Sequence, residues 1–197
     1  MTGSEYDNAD REKIKLNLNV VRSYGNDLTH AIQRMKAASG CQNEQTSAEN
    51  IYITSAYVND DAPVDKTCHL FDVSGGGLDW QEPPGYLFPK ASDDWWRESY
   101  AFTDGVRIPE LGTEGAELLL VMEVRSPAQC EIINDILHQS LTIPEATSFC
   151  LSPFTGAFTS ACGGGIQNWT NVAGWSEGCV KHQSEDEYYY YRTLVKR

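Results

Sequence analysis

Six cysteines, four histidines, several carboxylate clusters and five tryptophans are the residues of this chain with the widest chemical repertoire. The cysteines are Cys41, Cys68, Cys130, Cys150, Cys162 and Cys179, an even set with no CxxC pair. Zinc sites bring their thiolates in closely spaced pairs, because one tight turn aims two sulfurs at one ion. Here each cysteine stands alone and its flanks read as loops: Ser39-Gly40 before Cys41, Gly163 to Gly165 after Cys162, Gly178 before Cys179. Three disulfides in an oxidising compartment are expected, since thiols left free in exposed loops oxidise. Nearest-neighbour pairing closes the shortest loops and gives Cys41 with Cys68, Cys130 with Cys150 and Cys162 with Cys179, subject to geometry.

The other candidates point away from catalysis. His30, His69, His138 and His182 include no HxxxH or HExxH spacing, so each reads as structural rather than as metal ligand or base. Ser74 to Gly77 and Cys162 to Gly165 are glycine-rich, but neither contains GxSxG nor runs into Lys-Ser/Thr at a helix start. Tight turns account for them. Asn59, Asp61 and Asp65 come nearest to a calcium loop, which needs oxygen ligands at alternating positions; Asp93-Asp94 and Glu185 to Glu187 are further acidic runs. All read as solvated turns. Asn168-Trp169-Thr170 matches a glycosylation sequon, a triplet that also arises often by chance and has no meaning in a bacterium without the machinery. Trp80, Trp95, Trp96, Trp169 and Trp175 all fall in irregular stretches, with Tyr86 and Phe88. They form either a ligand or partner surface or a set of pins holding long loops to a sheet, and pinning is favoured. No catalytic residue, cofactor or metal is expected.

A formal charge of −13 and a pI near 4.6, with lysines scattered along the chain, exclude recognition of nucleic acid through a basic field.

The elements that must position these residues follow from pattern. Between about Asp7 and Ser39, Ile14, Val21, Leu28 and Met35 recur every seven residues, with Leu18 and Ile32 between them. That stripe predicts one helix of about 50 Å, stopped by Gly40. Its length predicts first turns that extend beyond the globular body, and Gly25 in the stripe marks either a bend, a close helix–sheet contact or a tolerated glycine. Ile51–Val58 and Thr67–Val73 read as strands, followed by an irregular stretch from Leu78 to about Ser99. Strands resume at Tyr100–Ile108, and Glu117–Val124 is apolar enough for a central strand. Pro127 opens a short amphipathic helix, Cys150–Lys181 reads as loop-rich, and Glu187–Val195 carries four tyrosines that alternate faces. The fold class is therefore α+β, a long N-terminal helix packed on an antiparallel sheet, with long disulfide-bonded loops and one short additional helix. Residues 1–6 are expected as a disordered tail or an added start, 7–40 as the helix and 41–197 as a β-rich head forming one domain with it.

This order of elements resembles type IV pilins and type II secretion pseudopilins. Several stretches are similar to a group of uncharacterised prepilin-like proteins of Gram-negative bacteria: Gly40-Cys41 with Glu44 to Asn50, Ala62 to Phe71, Gly75 to Trp80, Cys130 to Asn134, and the closing Tyr188 to Arg197. The prepilin cleavage motif and the hydrophobic first half of the family's helix do not occur here. The resemblance implies a non-enzymatic subunit of a pilus-like or secretion-like filament that contacts other pilin-like subunits through its N-terminal helix. It implies a periplasmic or surface location, with a hydrophobic membrane segment upstream of Ser4 in the precursor. The pilin C-terminal disulfide loop would map to Cys162 and Cys179, or to Cys130 and a later cysteine. The alternatives are a secreted adhesin or carbohydrate-binding module using the tryptophan loops, and a hydrolase with a non-local active site.

Overall fold

The computed structural model of the protein describes residues 8–49, 59–88, 99–113, 115–146, 166–183 and 186–196. The heptad-spaced stripe folds as α1, Asn8–Ser39. Ile14, Leu18, Val21, Leu28, Ile32 and Met35 are each at most 2% exposed, and Tyr24 and Ala31 join them. Burying a side chain of the larger apolar kind contributes about 1.5–3 kcal/mol, so packing rather than intrinsic propensity holds this helix. Gly40 (φ 69°) ends it in the left-handed conformation that glycine adopts without strain.

The strands are β1 (Ala101–Arg107), β2 (Glu117–Val124), β3 (Glu145–Ala146), β4 (Gln167–Asn168), β5 (Glu177–His182) and β6 (Tyr188–Val195). They form one sheet in the order β3-β5-β6-β2-β1-β4. The four long strands pair antiparallel, with Val121 opposite Tyr191 and Cys179 opposite Tyr190. Helix α2, Pro127–His138, opens on a Ser126 side chain that accepts the Gln129 N–H. Both helices cover one face of the sheet in a core with Phe102, Leu118, Leu120 and Tyr190. On the opposite face Leu119, Val121, Tyr189 and Tyr191 form a second core, closed by Ile108, Trp169 and Val172. The alternation predicted for the tyrosines is observed.

Several expectations are corrected. The sheet is mixed, because β3 pairs parallel with β5 and β4 parallel with β1. Parallel neighbours need a long connection: β2, α2 and β3 lie between β1 and β4 in the chain, and β4 lies between β3 and β5. Thr67–Val73 is not a strand but a series of turns, with only His69 bridging to Ser47. Its amides are diverted locally: Asp65 accepts the Thr67 N–H, Asp72 accepts the Ser74 N–H, and Gly75, Gly76 and Gly77 donate to the carbonyls of Asp72, His69 and Asp72. A Cβ on Gly75 or Gly76 would lie 2.3 or 2.4 Å from the carbonyl oxygens of His69 and Leu70, so this turn needs bare backbone. The stretch Cys150–Lys181, expected to be loop-rich, also contains β4 and most of β5. The first turns of α1 do not project: Ile14 is fully buried, and the Tyr86 hydroxyl donates to Asp10 (2.9 Å). The predicted strand Ile51–Val58 and the tail at residues 1–6 lie outside the described residues.

Among the described residues two disulfides are formed, Cys41–Cys68 and Cys130–Cys179, with Cα separations of 5.8 and 5.3 Å. The first is the expected neighbour pair. The second overturns the expected links of Cys130 to Cys150 and of Cys162 to Cys179: α2 lies across β5, so Cys130 meets a cysteine distant in sequence. Cys150 and Cys162 lie outside the described residues.

Candidate functional site

The polar side chains with the most shared contacts join α1 to the sheet. Glu177, at the start of β5, accepts from Arg22 of α1 (Nη2 2.9 Å, Nε 3.1 Å), from Arg192 Nη1 (3.0 Å) and from the Tyr190 hydroxyl (2.9 Å). Arg192 also reaches back to Asn26 of α1. One carboxylate thus binds two guanidinium groups and a phenol at a half-buried seam, where each hydrogen bond is charge-assisted. Burial, and then the facing Glu177 charge, push the Tyr190 phenol well above its ordinary range, so it remains a donor. Gly25 makes the seam possible. An added Cβ there would stand 2.5 Å from Arg192 Cδ, so the glycine marks a close helix–sheet contact and not a bend.

A second cluster seals the flank of β5. The Asn134 side chain, fully buried on α2, accepts the Cys179 N–H (2.8 Å) and donates to the Cys179 carbonyl (2.8 Å) and the Thr142 carbonyl (3.0 Å). The amide thereby imitates a neighbouring strand at the residue that the disulfide ties to Cys130. One turn on, His138 Nε2 donates to the Glu177 carbonyl (2.8 Å) while its ring stacks on Trp175 at 3.7 Å. The strand edge is covered by helix side chains up to Lys181, where β3 takes over.

A buried acid lies at the start of β2. Glu117 is 0% exposed; Oε2 accepts the Ile108 N–H (2.8 Å), and Oε1 has no partner among the described residues. Burial pushes its carboxyl up to about 7, against the opposing pull of the Ile108 and Glu117 amides and of Arg107.

The tryptophans divide as follows. Trp169 is 2% exposed and packs edge-on against Tyr191 in the second core. Trp80 packs on Phe71 at a ring separation of 5.2 Å, and Trp175 covers the start of β5 between His138 and Gly178. Trp95 and Trp96 lie outside the described residues. Trp80 and Trp175 stay half-buried, and neither joins the other on a shared surface ring contact among the described residues.

The histidines sit in separate surroundings. His30 is exposed on α1 and His182 is buried edge-on to Tyr189. His69 lies 3.9 Å from the Glu49 carboxylate, yet burial holds it below its ordinary value. Among the described residues no three His, Cys, Asp or Glu side chains converge on a metal-sized site. No described helix is long and apolar enough to cross a membrane.

Sequence reasoning missed the Glu177 seam and Asn134 altogether. Only Gly25, a glycine in an otherwise apolar stripe, signalled that something large crosses the helix. Comparison with protein-family models, curated proteins and solved structures returned no match to this chain.

Proposed function

We propose that the chain is a non-enzymatic structural or interaction subunit of a pilin-like assembly, working outside the cytoplasm and meeting its neighbours through α1. The observation that carries this reading is the construction of α1. Its 32 residues are tied to the body by the Glu177 seam and by an apolar stripe, while Leu16 and Val20 on its outer side are 64% and 51% exposed. A helix held this firmly presents a rigid outer face to a partner, and two disulfides suit an oxidising compartment. The described polar clusters hold elements together, which supports a scaffold over a catalyst. Trp80, Trp169 and Trp175 are engaged in packing, so nothing favours the sugar-binding alternative over this one.

The test is photo-crosslinking in cells that make the full gene product, with a photoreactive amino acid at position 20. Copies crosslinked to one another or to related subunits in the envelope fraction are expected. Protein recovered only as an uncrosslinked monomer overturns the reading.

A further inference from the structure

The cysteines of this chain do not pair in order. Cys41–Cys68 joins neighbours, but Cys130–Cys179 passes over Cys150 and Cys162, which lie between them in the sequence. In the unfolded chain, sequence spacing sets which thiols meet. Loop closure favours Cys130 with Cys150, 20 positions apart, over Cys130 with Cys179, 49 apart, by roughly fourfold. For Cys179 the rival is Cys162, 17 positions away and favoured by roughly fivefold on the same scaling. Order of appearance acts in the same direction. Cys150 precedes Cys179 by 29 positions, a lead of roughly 1.5–6 s for a chain growing at about 5–20 residues per second.

Tertiary structure selects the native pair, and it arrives late. Cys130 meets Cys179 only when α2 lies on β5, which brings their Cα atoms to 5.3 Å. β5 is held in turn by β6, the last strand, where Cys179 lies opposite Tyr190. Once formed, the bond is shut away. Both cysteines are 0% exposed, and Asn134 occupies both backbone groups of Cys179. Exchange requires a thiolate to reach a sulfur, so the folded domain protects this bond while an early bond in a loose chain stays open to attack.

We propose that this chain is a substrate of a thiol–disulfide isomerase, which resolves early bonds to the intervening cysteines, chiefly Cys130–Cys150, on the way to Cys130–Cys179. The early bond forms when a disulfide oxidant of the same compartment takes two electrons and two protons from the Cys130 and Cys150 thiols. The isomerase thiolate then attacks Cys130 Sγ, breaking the bond to Cys150 and releasing Cys150 as a thiolate. The Cys179 thiolate attacks Cys130 Sγ in the resulting mixed disulfide and expels the isomerase thiolate. One S–S bond breaks and one forms at each exchange, so the isomerase is regenerated without net oxidation. The same two exchanges at Cys179 Sγ, with Cys130 as the second thiolate, resolve Cys162–Cys179. This goes beyond the subunit reading above and stands without it, needing only an oxidising compartment.

The test starts from the reduced, unfolded chain, diluted into folding buffer with a thiol-free oxidant, either alone or with a catalytic amount of reduced thiol–disulfide isomerase. Samples are alkylated at intervals and their disulfides mapped by mass spectrometry. Among the first bonds, Cys130–Cys150 should outnumber Cys130–Cys179 by roughly fourfold. With oxidant alone it should persist, and with isomerase it should give way to Cys130–Cys179. Early samples dominated by Cys130–Cys179, or a native yield that isomerase leaves unchanged, overturn the proposal. Cys150→Ser with Cys162→Ser removes the rivals and should reach Cys130–Cys179 with oxidant alone, in the yield that the parent attains with isomerase. Continued dependence of this variant on isomerase also overturns it, provided circular dichroism shows that the variant folds. Where it does not fold, the parent's time course decides.

Discussion

The buried Glu117 carboxyl predicts a stability that declines as pH rises from about 4.5 to about 7. In the unfolded chain a glutamate titrates at its ordinary 4.5, whereas in the fold Glu117 is held up to about 7 by burial. The folded state therefore keeps the proton where the unfolded state has released it. Between these two values stability falls with pH; below the lower one and above the upper one this group contributes no slope. The gap corresponds to about 3 kcal/mol at about 1.4 kcal/mol per pH unit. Glu117→Gln keeps the shape and the acceptor for the Ile108 N–H but cannot ionise. Urea unfolding of parent and variant, disulfides intact, from pH 4.5 to 8.5 isolates the effect, because every other group cancels in the difference. The variant should gain on the parent by about 3 kcal/mol across that range, with most of the change complete by neutral pH. A difference curve that is flat, or that favours the parent at high pH, refutes the reasoning.

Gly25→Ala should destabilise the domain by about 1–3 kcal/mol, because the methyl displaces Arg192 from Glu177. In an Arg192→Ala background the same change should instead stabilise by up to about 1 kcal/mol of helix propensity, a reversal of sign that a double-mutant cycle in thermal melts would reveal. Asn134→Ala leaves both backbone groups of Cys179 buried without partners and should cost about 2–4 kcal/mol, with faster hydrogen exchange at the Cys179 amide; unchanged exchange would count against the edge-capping role. Peptide mapping without reductant should recover Cys41 linked to Cys68 and Cys130 to Cys179, and replacing the latter pair by alanines should cost about 4 kcal/mol for its 49-residue span.

What was legible in the sequence was whatever a local period could encode. The stripe of α1, the apolar run of β2, the proline-led α2 and the tyrosines of β6 all repeat at the spacing of their element, and each formed close to its expected bounds. β5 was hidden because Glu177, Gly178 and Lys181 interrupt any alternation, and because helix side chains rather than a strand satisfy much of its flank. β3 and β4, two residues each, carry no period at all. The seam was illegible for a different reason. Glu177 takes Arg22 from 155 positions away and Arg192 from 15, and only the tertiary fold brings both to one carboxylate. The same holds for Cys130 and Cys179, whose pairing depends on how α2 crosses the sheet.

The place of β6 bears on how the protein is made. Last of the strands in the chain, it sits between β5 and β2 at the centre of the sheet, contributes tyrosines to both cores and sends Arg192 to the first helix. Neither core can close until Tyr188–Val195 has left the ribosome. The earlier strands therefore wait without their central partner, and the domain cannot complete its folding from its N-terminal portion alone.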